Sequence, residues 1–96
     1  ETCFDLKINL LGKRFFYKDI RLALTGMHQV HNASLVLTSA AIQKRFSITE
    51  QALRLGLQRV AWPGRLQIIQ ENPLILADAA HNPAGMSVLR DAIENI

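Results

Sequence analysis

Asp78, His81 and Asn82 follow an apolar run, Leu74-Ile75-Leu76-Ala77, and stand directly before Pro83. A carboxylate at that place can accept hydrogen bonds from paired hydroxyls such as those of a ribose, or from amides of its own loop. In open α/β sheets, ligands collect beyond the carboxyl ends of strands. Pro83 suits the first position of a helix, which makes Asn82 its natural N-cap. The orphan amides and dipole of that helix end favour phosphate, to which His81 can donate. Arg65 follows Pro63-Gly64. Its planar fork suits phosphate, and a surface arginine or one clamping two domains is the plainer alternative. Asn32 comes after Gly26-Met27-His28-Gln29-Val30-His31. It reads as a helix N-cap or as a carboxamide able to match the edge of an adenine, having both donor and acceptor. His28 and His31 have a spacing that could hold a metal on a helix, yet no carboxylate or thiol stands near them in sequence.

These side chains need elements to carry them. Phe4 to Leu10 alternates apolar and polar, the period of a half-buried strand. Gly12-Lys13-Arg14 predicts a turn, and Phe15 to Leu24 a second strand with Ile20, Leu22 and Leu24 on one face. Together they predict a β-hairpin. A helix is expected from Ala33 to Phe46, capped by Asn32, with Leu35, Ser39, Ile42 and Phe46 as its inward stripe. A second helix is expected from Glu50 to Val60, started by Thr49 or by a Ser47–Glu50 capping box. Trp62-Pro63-Gly64-Arg65 breaks the pattern. Leu66 to Gln70 then predicts a strand, Glu71-Asn72-Pro73 a turn, and Leu74 to Ala77 a buried strand. The last helix opens at Pro83 with Met86, Leu89, Ile93 and Ile96 as its apolar stripe. The fold class is α/β, in the order β-β-α-α, a Pro-Gly joint, then β-β-α.

The chain has 96 residues, 49% hydrophobic and 20% charged, with a formal charge of +3. That is the composition of a globular protein. Its basic residues are scattered, which gives no nucleic-acid-binding face. A single cysteine, Cys3, excludes an internal disulfide and CxxC metal motifs, and fits a cytoplasmic location. No apolar run is long enough to span a membrane. The opening ETCFDLK lacks an initiator Met and is already in a strand pattern, so we expect a chain cut from a longer protein. There is no GxxxxGK[ST] loop, GxGxxG or Ser-centred elbow.

Three motifs, Gly26-Met27-His28-Gln29-Val30-His31-Asn32-Ala33, Trp62-Pro63-Gly64-Arg65-Leu66 and Asp78-Ala79-Ala80-His81-Asn82-Pro83, resemble in order the folylpolyglutamate synthase/dihydrofolate synthase branch of the Mur ligase superfamily. Ala79 stands where that family often has Gly. The resemblance implies an ATP-dependent ligase that joins L-glutamate to a folate or dihydropteroate carboxylate through an acyl phosphate, with Mg²⁺ assisting. It implies that residues 1–61 end a central ATP-binding domain and that 62–96 form a hinge and the first β-β-α of a carboxy-terminal Rossmann-like domain. It carries nucleotide contacts onto Asn32, Arg65, Asp78 and His81. Catalytic residues, the P-loop, metal ligands and most of the folate pocket are expected outside these residues, so the 96-residue chain alone is expected to be inactive. Asp78→Ala is expected to weaken ATP binding with little effect on folding. The competing readings are another Mur-type ligase of peptidoglycan synthesis and a nucleotide-binding module without chemistry.

Overall fold

The structure is a computed structural model and describes residues 1–95. Strands β1 (Thr2–Leu10) and β2 (Lys13–Leu22) form an antiparallel hairpin. Its turn is Leu11-Gly12, both at positive φ (54° and 73°). That mirror-image conformation matches the right-handed twist of the strands, and it lies one residue earlier than the turn expected from Gly12 to Arg14.

Side chains of β1 alternate faithfully, with Phe4, Leu6 and Ile8 inward. On β2 the inward set is Tyr17, Ile20 and Leu22. Strict alternation cannot place Tyr17 and Ile20 on one face. A bulge does: Leu6 pairs with Tyr17 but Phe4 with Ile20, so β2 carries one extra residue there. Asp19, at φ 55°, donates its amide to Asp5 Oδ1 at 2.8 Å, which holds the bulge. Leu24 falls beyond the strand but still packs on the core.

Helix α1 (Met27–Ile42) begins six residues before the expected Ala33 and ends at Ile42, four residues before the expected Phe46. Gly26 is its N-cap, so Asn32 lies inside the helix and caps nothing. The inward face is Gln29, Val30, Ala33 and Leu37 rather than the expected Leu35 stripe. Leu35 and Phe46 are 68% and 66% exposed. The hairpin is met by the stripe of Val30, Ala33 and Leu37, which leaves Leu35 facing outward. Helix α2 (Glu50–Arg59) is close to expectation, and Thr49 settles its start by accepting from the amide of Ala52 at 3.1 Å. Leu37 of α1 with Leu53 and Leu57 of α2 covers Ile8, Tyr17 and Ile20. Fully burying a side chain such as Leu37 contributes about 1.5–3 kcal/mol.

Strands β3 (Gln67–Gln70) and β4 (Ile75–Ala77) pair antiparallel through residues 71–74. The expected buried strand is only half covered: Ile75 is 43% exposed, with Leu76 and Ala77 partly buried. Helix α3 (Pro83–Glu94) starts as expected, with Asn82 accepting from the amide of Gly85 at 2.7 Å. Its expected stripe is covered only in part, at Leu89. Met86 and Ile93 are exposed, and Ala92 is the buried residue; Ile96 lies outside the described residues.

Candidate functional site

The joint between α2 and β3 turns on two residues in the left-handed region, Gly64 (φ 80°) and Leu66 (φ 46°). Gly64 adopts this freely, whereas Leu66 pays roughly 1–2 kcal/mol for it. The compensation comes from Asp78. Its Oδ1 accepts from the Leu66 amide at 2.8 Å, and its Oδ2 accepts from the Ala80 amide at 2.9 Å. Both oxygens of the carboxylate thus tie the end of β4 to the joint and to its own loop. Each retains capacity for a further donor.

Arg65 is held beside this clamp. Its guanidinium lies 5.0 Å from the centroid of the Trp62 ring, and its amide donates to the Trp62 carbonyl at 3.3 Å. Gly64 donates its amide to Gln67 Oε1 at 3.0 Å, closing the turn. Arg65 and Asp78 line one cavity of about 250 Å³, together with His28, Ala80, Ala84 and Gly85. The first turn of α3 therefore forms part of its wall. Gly85 permits this packing, since a Cβ there would come within 3.2 Å of Asn82 Oδ1.

A larger cavity of about 640 Å³ adjoins it, between the start of α1 and α3. His28, Val88 and Ala92 line both. His31, Thr25, Asp91 and Asn95 supply its polar lining. The α1 entry is tight: Gly26 has φ 112°, and a Cβ on it would sit 2.6 Å from His28 Cε1.

Of the four residues expected to contact a ligand, Arg65 and Asp78 come together. Asn32 lines neither cavity; it lies one helical turn beyond His28 on the same face of α1, exposed, and donates Nδ2 to Gln29 Oε1 at 3.2 Å. His81 is exposed too, with Nδ1 3.1 Å from the Ala79 carbonyl oxygen. His28 and Gly85 belong to the cavity walls without having been singled out as contacts. The signal for His28 was present in Gly26-x-His28, a glycine two residues before a histidine at a helix start. Nothing local marked Gly85. His28 and His31 do share the wall of the larger cavity, but no three His, Cys, Asp or Glu side chains cluster among the described residues. No helix among them is long and apolar enough to cross a membrane.

No family model matches the chain. Individual proteins do. It is 41% identical over 81 residues to the dihydrofolate synthase/folylpolyglutamate synthase of Bacillus subtilis, covering 81% of this chain and 19% of that protein. The Mycobacterium tuberculosis enzyme of the same name is 40% identical over 92 residues, covering 90% and 18%. A UDP-N-acetylmuramoyl-L-alanyl-D-glutamate–2,6-diaminopimelate ligase of Corynebacterium glutamicum is 37% identical over 91 residues, covering 93% and 17%. Among solved structures, Mycobacterium tuberculosis folylpolyglutamate synthase complexed with ADP and AMPPCP superposes with a TM-score of 0.76 at 35% identity, covering 93% of this chain and 22% of that one. An FPGS–AMPPCP–folate complex gives 0.75 at 35% identity, covering 83% and 20%. By sequence and by fold the chain is similar to folylpolyglutamate synthases, and by sequence also to a Mur-type ligase, and it spans about one fifth of the length of the proteins it matches.

Proposed function

We propose that this chain supplies one wall of the nucleotide site of an ATP-dependent ligase that adds L-glutamate to the carboxylate of a folate or dihydropteroate through an acyl phosphate. In this reading residues 1–61 end the central ATP-binding domain, and 62–96 are the hinge and the start of the carboxy-terminal domain. The observation that carries it is the meeting of Arg65, from the joint, with Asp78, from the end of β4, in one cavity walled by the first turn of α3.

Each side chain then has a defined task. Arg65, steadied on Trp62, offers its donors to the phosphates. Asp78, its two oxygens already oriented by amides, accepts from ribose hydroxyls with its remaining lone pairs. The open start of α3 favours negative charge nearby. Asn32 meets the base from α1, and His81, whose ring is steadied by the Ala79 carbonyl, approaches from the other side as the two parts close. Mg²⁺ would neutralise charge on the phosphates, but the described residues offer no cluster to hold it.

The decisive experiment incubates the full-length protein with ATP, labelled L-glutamate and either dihydropteroate or a reduced folate. Incorporation of label into either acceptor is expected. Failure of both, with incorporation of an amino acid into a UDP-muramoyl peptide instead, would transfer the chain to the cell-wall reading that its Corynebacterium relative favours. The 96-residue chain by itself is expected to give no turnover.

A further inference from the structure

Among the described residues, Leu11, Asp19 and Leu66 hold positive φ without being glycine. Leu11 sits in the hairpin turn and Asp19 in the bulge of β2. Leu66 is placed differently, for it lines the smaller cavity beside Arg65 and Asp78. The next residue, Gln67, is paired with Ala77 at the end of the β3–β4 ladder, which fixes the chain beyond Leu66. Rotation about φ of Leu66 therefore swings its own N–H. At φ 46° that N–H meets Asp78 Oδ1 at 2.8 Å.

The other bond of Asp78, from the Ala80 amide to Oδ2 at 2.9 Å, is local to its own loop. It survives any path of the joint, but alone it leaves the carboxylate free to turn about that contact. With an amide on each oxygen the carboxylate plane is held. Exchange of the two oxygens changes nothing, since both are acceptors. The remaining lone pairs keep one arrangement for as long as Leu66 stays left-handed.

We propose that Leu66 is a positioning residue for sugar recognition: its left-handed backbone sets the Asp78 carboxylate to take the hydroxyls of a ribose. The proposal rests on the reading of Asp78 as the ribose contact. The backbone at Leu66, and not the leucine side chain, carries the effect. A residue that resists positive φ should then blunt recognition even when it keeps the volume and apolar character of leucine. Isoleucine, being β-branched, is such a residue. Glycine deletes the side chain and adopts the conformation freely. A packing role for the side chain would rank the two substitutions in the opposite order.

The full-length protein is titrated with ATP and with 2′,3′-dideoxy-ATP, which lacks both ribose hydroxyls, and the two dissociation constants are compared. The unaltered protein should prefer ATP by about ten- to hundred-fold, the worth of hydrogen bonds to a charged acceptor. Asp78→Ala, or Asp78→Asn if that variant does not fold, should bring the preference close to one. Leu66→Ile should lower it by about three- to ten-fold, the worth of the one amide bond given up, and Leu66→Gly should hold it. If the Asp78 variant keeps the preference, the ribose reading fails and takes this proposal with it. If the Asp78 variant loses it but Leu66→Ile does not, or Leu66→Gly loses as much as Leu66→Ile, the positioning role is overturned. Hydrogen exchange at the Leu66 amide needs no variant, because a ligand that depends on the bond must in turn strengthen it. Saturating ATP should slow that exchange more than saturating dideoxy-ATP does, and equal slowing would overturn the role even where the Leu66 variants fail to fold.

Discussion

Asp78 holds Leu66 across the joint, carboxylate to amide at 2.8 Å, and so fastens the end of β4 to the residue after Arg65. The same carboxylate fixes Ala80 at 2.9 Å. These two bonds argue against the expectation that Asp78→Ala would leave folding nearly intact. Losing bonds to a charged acceptor should cost at least about 1.5 kcal/mol. Asp78→Ala should therefore lower the urea midpoint as well as raise the KM for ATP, and should speed proteolysis between Trp62 and Gln67. A variant with weakened ATP binding and an unchanged midpoint would show that the clamp carries no stability.

Trp62 should control how well Arg65 is presented. An exposed cation–π contact is worth about 0.5–1 kcal/mol, so Trp62→Ala should raise the KM for ATP by about two- to five-fold. Trp62→Phe should recover most of the loss, since it keeps a ring beneath the guanidinium. Equal effects from both substitutions would remove stacking as the cause.

Gly26→Ala should damage the start of α1. At φ 112° a side chain is strained, and the new Cβ would meet His28 Cε1 at 2.6 Å. Backbone strain of this kind costs about 1–3 kcal/mol, before any displacement of His28 from the two cavities. Circular dichroism melts should show the loss. Gly12→Ala, where a Cβ meets nothing within 4 Å, is the control for positive φ without a clash.

Tyr17 gives the chain an alkaline limit. Burial raises its phenol above the ordinary value, and the nearby charge of Glu50 adds to the effect. The folded state therefore keeps the proton longer than the unfolded chain does. Stability is fully present below about pH 10, the ordinary value, and falls as pH rises towards the folded value. Tyr17→Phe should flatten that limb when urea midpoints are compared from neutral to strongly alkaline pH. Parallel curves for the two proteins would contradict it.

Element types were legible in the sequence because each had a local signal: alternation in β1, Thr49 before α2, Asn82-Pro83 before α3. What escaped was set by contacts between elements. Nothing near Asp19 announces that its amide will be taken by Asp5 and shift the inward set of β2. The buried faces of α1 and α3, through Val30, Ala33 and Leu37 on the one and Ala92 on the other, are set by what packs on them rather than by the size of the apolar residues each helix offers. At the site, motif order was enough to bring Arg65 and Asp78 together. It could not show that Asp78 is already bonded to two amides, that Arg65 rests on Trp62, or that Asn32 lies within a helix rather than at its end. Those depend on the path of the backbone at Leu66 and at Gly26.

His28 lines both cavities, and its ring occupies the space that a side chain on Gly26 would fill. It stands with Val88 and Ala92 in the lining that the two cavities share. A smaller residue there should enlarge the space beside both cavities, and a bulkier one should reduce it. The room beside α1 is thus set in part by one ring that only a glycine neighbour can accommodate.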